Sequence, residues 1–369
     1  MEADCAPAQG YLPTRLHPGL IVRHLVLASA LLSACSVVSQ PPSPAPISHV
    51  AQQSNTTALL IAVSAVSDSV AWVSGTGGTV LRTLDGGATW HAGKVPGADS
   101  LQFRDVHALD ANHAWVLSIG PGADSRIYYT ADGGTNWTLQ YTNQDPDAFY
   151  DCLGFWDASR AIVVGDAVKG HTGILTTDDG GLHWNETPSA TTPTAPPGEG
   201  SFAASGTCLV TGAGGRAWIV AADSIRSRVL FSSDYGRAWG FETLPLTSRA
   251  GTGAQSVAFN DAKHGMALGG GTTAKAGDEN VAVTNDGGFT WALRGRLPFT
   301  SGAWGGVYVP GAKKPTVVAV GPGGAAWSRD DGATWVAIDT LNYWSVGFAS
   351  PGAGWAVGTR GKITKLGGF

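Results

Sequence analysis

Charge is scarce in this sequence: Asp, Glu, Lys and Arg make up 14% of its 369 residues, with lysine and glutamate both rare. That composition excludes a disordered chain and a charged helical assembly. With a net charge of −5 and no basic stripe, no nucleic-acid partner is expected. Histidines are dispersed and form neither HxH nor HExxH, so no metal site is expected. No GxGxxG opens a helix and no GxSxG occurs, which removes a nucleotide cofactor and a nucleophile elbow, and the expectation is that no cofactor is bound. No apolar run is long enough to span a bilayer; the longest, residues 25–34, has the length of a signal-peptide core.

That run follows Arg15 and Arg23 and ends in Leu32-Ser33-Ala34-Cys35, which resembles the lipobox of bacterial lipoproteins. Residues 1–34 therefore read as a lipoprotein-type signal peptide, Cys35 as the lipidated residue and 35–46 as a Pro/Ser-rich tether. Ser36, in place of an Asp, fits sorting to an outer membrane, so the chain is expected to be anchored in a bacterial envelope and to face the periplasm.

What the sequence has in abundance is glycine (52) and tryptophan (14), and both fall into a repeat. An octapeptide Ser/Thr-x-Asp-x-Gly-x-x-Trp occurs six times: TLDGGATW (83–90), TADGGTNW (130–137), TDDGGLHW (177–184), SSDYGRAW (232–239), TNDGGFTW (284–291) and SRDDGATW (328–335). Its aspartates, Asp85, Asp132, Asp179, Asp234, Asp286 and Asp330, stand 47, 47, 55, 52 and 44 residues apart, a period that fits four short strands. In each box the Asp accepts hydrogen bonds from a turn, Gly supplies positive φ, and Trp folds back over a hairpin. A seventh copy, YWSVGFAS (343–350), GWAVGT (354–359) and KITKL (362–366), lacks its box. The reading is an all-β, seven-bladed β-propeller over 47–369, monomeric, with the incomplete last blade closed by an N-terminal strand from residues 47–56.

These boxes, with the phrases GWAVGTRGKI and TADGGTNW and the seven-fold count, resemble the propeller family of the photosystem II assembly and stability factor, in its branch from non-photosynthetic bacteria. The resemblance implies a non-catalytic, envelope-located propeller that binds a protein partner. Asp boxes also occur in sialidases, so carbohydrate binding or sialidase-like glycoside hydrolysis is the alternative. A sialidase needs an arginine triad, an Asp acid and a Tyr–Glu pair. Here the nearest Arg-Ile-Pro-like motif is Arg296-Leu297-Pro298, at the end of blade 5, and only Glu199 and Glu279 lie in suitable loops.

Propeller topology places the boxes on one face and the blade-joining and second-to-third-strand loops on the other. On that second face the loops lengthen in blades 2 to 5 (120–125, 166–173, 221–227, 270–280), joined by the insert 189–200. The first residues of the inner strands should ring the channel mouth: Arg104, Asp105, Tyr150, Asp151, Gln255, Trp304, Tyr343 and Trp344, with Glu199 from the insert. Mixed charge and aromatics there suit a peptide segment or a polysaccharide; the bland reading is that these groups pair across a polar channel. Aligning RDVHAL, YDCLGF and GTCLVT puts Cys152 and Cys208 at one position of adjacent blades, where Val106 and Val257 stand elsewhere. An oxidising compartment favours a disulfide between them; the alternative is two buried thiols packed like valine.

Overall fold

A computed structural model describes residues 47–369. The expected signal peptide, the expected lipidation site Cys35 and the expected tether lie outside the described residues. Seven four-stranded antiparallel sheets are arranged as the blades of a β-propeller, and the rest of the regular structure is three short 3-10 turns. Among the described residues no helix is long and apolar enough to cross a membrane.

Each blade follows from its residue pattern. Second strands such as Ala114–Ile119 and Ala353–Gly358 are almost wholly apolar and buried between neighbouring sheets. Outermost strands such as His91–Lys94 and Ala292–Leu293 are short and exposed. The ring closes as expected: Ser48–Gln52 pairs antiparallel with Ile363–Gly367 and supplies the fourth strand of blade 7.

The octapeptides turn between third and fourth strands, and their hydrogen bonding divides the work between two side chains. In the first, the Thr83 hydroxyl is buried, accepts from Gly87 N at 2.8 Å and donates to Asp85 Oδ1 at 2.9 Å. Asp85 Oδ1 also accepts from Thr89 N at 2.8 Å, but out in solvent. The same Gly-to-hydroxyl bond recurs in all six copies. The buried member is thus the Thr or Ser, and the aspartate trims an exposed turn. Thr83→Val is expected to lower stability by about 1–3 kcal/mol by stranding the Gly87 N–H. Asp132→Ala should cost less, because its Asn136 donors reach water. Urea midpoints of the two variants measure the difference.

The repeat tryptophans staple blades to one another. Trp72 in blade 1 meets the octapeptide Trp137 of blade 2 edge-to-face at 6.5 Å, and Trp355 of blade 7 meets Trp90 of blade 1 at 6.4 Å. Trp218 Nε1 donates to Gly287 O of the next blade at 2.7 Å.

Around the channel the inner strands are tied laterally. Ser74, on the second strand of blade 1, donates to Phe103 O on the inner strand of blade 2, Asp105 accepts from Leu153 N between blades 2 and 3, and Val257 N donates to Thr207 O between blades 4 and 5. Between blades 3 and 4 the tie is covalent: Cys152 and Cys208 form a disulfide, with Cα atoms 6.2 Å apart. Strand register corrects the sequence alignment by one residue. Cys152 pairs opposite Val164 as Asp105 pairs opposite Leu117 and Ser256 opposite Leu268. The structural equivalents of Cys152 are therefore Asp105 and Ser256, and not Val106 and Val257.

Candidate functional site

That one-residue shift has a physical origin which also builds the site. In five inner strands the pairing skips one residue near the channel mouth: Ile61, Arg104, Asp151, Gln255 and Trp344. Such a β-bulge sets two residues against one, bends the strand and re-aims the extra side chain. Arg104, Asp151, Gln255 and Trp344, with Trp304 just ahead of the blade 6 inner strand, line a cavity of about 330 Å³ at the mouth. The octapeptides occupy the opposite ends of the blades.

Phe202, Ala203 and Ala204, to which the repeat pattern assigns no role, also line this cavity. The blade 3 to blade 4 connection does not stop at residue 200; residues 202–207 continue into the axis. There Ala203 O accepts from Arg104 Nη1 at 2.9 Å, Ser205 O accepts from the Ser345 hydroxyl at 2.8 Å, and the Ser205 hydroxyl donates to Trp304 O at 2.7 Å. The Thr207 hydroxyl bonds Ser256 at 2.8 Å. Bonds to blades 2, 5, 6 and 7 make this segment a plug. Small residues are required there: a Cβ on Gly206, whose φ is +75°, would meet the Asp105 carboxylate, and one on Gly305 would crowd Ser205.

Above the plug, the Arg104 guanidinium lies 5.0 Å from the Trp344 ring centre, and Trp344 meets Trp304 edge-to-face at 4.6 Å. Arg104 Nη2 donates to Gln102 at 3.0 Å and Gln255 donates to Gly270 O at 3.2 Å. Three residues that line this cavity each carry a buried polar atom with no partner among the described residues: Arg104 Nε, Trp304 Nε1 and Asp151 Oδ2. A wider depression of about 1030 Å³ beside the closing strand borders no residue with an unpartnered buried atom, and a groove of about 480 Å³ along blade 3 borders three, His171, Thr172 and Thr187; the mouth is the candidate site because it gathers side chains of blades 2, 3, 5, 6 and 7 around one cavity.

Electrostatics are unusual at the mouth. Burial, and then the nearby Asp166, hold the Asp151 carboxyl well above the usual carboxylate range, with Arg104 pulling the other way. Burial raises Asp166 to about 6 against a hydrogen bond from the Ser201 backbone. Arg104 is lowered by its own burial, opposed by Asp151.

Four residues expected at the mouth lie elsewhere. Tyr150 and Tyr343 immediately precede bulged residues and Asp105 immediately follows one, so strand alternation turns all three away from the cavity. Asp105 accepts from Val106 N at 2.7 Å and Leu153 N at 2.6 Å, and burial raises it to about 8 against those two bonds. Tyr150 packs edge-on against Tyr141, ring centres 6.1 Å apart. The Tyr343 hydroxyl is 2.9 Å from both Asp339 and Thr364. Glu199 is buried in a two-pronged ion pair with Arg228. The expected long loop at 166–173 is also a correction: strands continue to Val168 and from His171, leaving a two-residue turn. Asp166 and Phe202, both lining the cavity, went unread because neither carries a motif. No cluster of three or more metal-ligating side chains exists among the described residues.

Comparison with known proteins places this architecture. A family model described as photosynthesis system II assembly factor YCF48 matches residues 45–195. The chloroplast photosystem II stability/assembly factor HCF136 of Arabidopsis thaliana is 28% identical over 143 residues, which is 36% of this chain and 33% of that protein. The match thus spans about a third of that curated relative. A solved YCF48 bound to D1 peptide superposes with TM-score 0.60 at 19% identity, covering 87% of this chain and 97% of that one. YCF48 from Cyanidioschyzon merolae gives 0.63 at 17%, covering 86% and 98%. An ancestral GH74 enzyme gives 0.58 at 13%, covering 84% of this chain and 45% of that one. At these identities the structural likeness speaks to the fold alone. In sequence and fold together, the chain resembles the photosystem II assembly-factor propellers.

Proposed function

We propose that this chain is a non-catalytic, monomeric propeller, anchored in the envelope through a lipid on Cys35, that holds an extended segment of a protein partner at the channel mouth. The observation that carries the reading is that three residues lining a single aromatic-walled cavity, Arg104, Trp304 and Asp151, each keep a buried polar atom unpartnered: two donors, Arg104 Nε and Trp304 Nε1, and one acceptor, Asp151 Oδ2. A peptide main chain offers the matching C=O and N–H groups, and its side chains suit the aromatic wall. Capture of a peptide by a YCF48 of the same fold supports the partner class. The GH74 likeness supports no hydrolase here: Asp151 and Asp166 project from one sheet, whereas glycosidases set two carboxyls on opposite sides of the scissile bond.

The test is site-specific photo-crosslinking in the native envelope. A crosslinker in place of Phe202 should yield one defined partner, an adduct lost in Arg104→Glu, while one in place of Phe289 beside the Asp286 turn should not. Fatty-acid labelling lost in Cys35→Ser checks the anchor. Sugar release from envelope polysaccharide that disappears in Asp151→Asn would replace this reading with the hydrolase.

A further inference from the structure

The charged side chains lining the mouth are Arg104 from blade 2 and Asp151 and Asp166 from blade 3; blades 5, 6 and 7 contribute Gln255, Trp304 and Trp344. Two carboxyls therefore face one guanidinium. Arg104 spends its two Nη groups on Ala203 O and Gln102 and donates to neither carboxyl. Asp151, which lines the cavity, is 1% exposed, and its buried Oδ2 is without a partner among the described residues.

Resting on the reading that a partner segment seats in the mouth, we propose that the residue entering it is a lysine, whose ammonium is taken by the Asp151 and Asp166 carboxyls beside the Trp304 and Trp344 rings. An unpaired buried carboxylate is costly, and in the empty mouth a proton on Asp151 removes that cost. The proton is a stand-in: an ammonium brings the same charge together with three N–H donors, satisfies Oδ2 and lets both carboxyls ionise. Aromatic rings at the wall favour a cation by their quadrupoles. A divalent metal fits poorly, because two carboxyls fall short of its oxygen shell and Arg104 repels it. Among organic cations, lysine carries its charge at the tip of an apolar stem, which matches the Ile119, Phe149 and Phe202 lining.

The experiment uses the full chain in detergent and capped pentapeptides, Ala-Ala-Xaa-Ala-Ala, with lysine, norleucine or glutamate at the centre, titrated by calorimetry in two buffers of different ionisation enthalpy. The lysine peptide should bind about 10- to 100-fold more tightly than the norleucine peptide, the ratio given by a charged hydrogen-bonded pair. Buffer-dependent heat should show proton release with lysine alone. Asp151→Asn should abolish both the preference and the proton release while leaving circular dichroism unchanged, and Asp166→Asn should reduce the preference. Equal binding of the three peptides, or preference for glutamate, overturns the lysine assignment and leaves peptide capture standing. Binding of none overturns both.

Discussion

Glu199→Ala is expected to destabilise the fold by about 3–5 kcal/mol, the cost of leaving a buried charge without its partner. The Glu199 and Arg228 side chains are 1% and 2% exposed, and two N–H groups of Arg228 reach the carboxylate at 2.6 and 2.5 Å. A third contact, Nη1 to Thr194 O at 3.2 Å, secures the same insert, and Phe241 covers the guanidinium at 4.5 Å. Water therefore cannot compensate Arg228 once the carboxylate is gone. Glu199→Leu combined with Arg228→Met should recover most of the loss, since a well-packed apolar pair replaces a buried ion pair at little net cost. Urea unfolding measures both, with a lowered midpoint and an unchanged slope for the single variant. An unchanged midpoint would mean that the insert is held by other contacts.

Removing the disulfide, with Cys152→Ala and Cys208→Ala together, should cost about 4 kcal/mol if the effect is carried by the entropy of the unfolded chain. The two cysteines are 56 residues apart, so the crosslink closes a loop spanning most of blade 3 and the insert. The wild-type protein unfolded with dithiothreitol should approach the same lowered midpoint. A midpoint unaffected by either treatment would show that lateral bonds such as Thr211 Oγ1 to Phe155 O already fix these two strands.

Much of the fold was legible because it repeats. Six octapeptides with fixed Asp, Gly and Trp marked the third-to-fourth turns, and a last copy without a box pointed to closure by residues 47–56. The face of the site was legible from topology. The identity of its side chains was readable only in part, since Arg104, Asp151, Gln255 and Trp344 owe their direction to bulges. A bulge is a property of two paired strands and leaves no mark on either one alone, which is why Asp105, Tyr150 and Tyr343 looked equivalent to their neighbours. Glu199 looked functional because it is a rare glutamate in a long loop. Its partner, Arg228, stands 29 positions away on another strand, a pairing that no local pattern announces.

Because the last blade takes its fourth strand from residues 48–52, a growing chain cannot seal its ring until residues 363–367 have emerged. The partners Ser48 and Gly367 are 319 positions apart. Loop-closure entropy grows only logarithmically with such a distance, so the finished ring loses little stability by it; the burden falls on rate. Until then six complete blades, a seventh with only its first two strands, and the unpaired residues 48–52 present open edges, a state prone to pairing with other copies. Folding yield should accordingly depend on how long the chain waits in that state, and a circular permutant that begins at the inner strand of blade 1 and places residues 48–52 after residue 367 would shorten the wait while keeping the strand order of the finished ring.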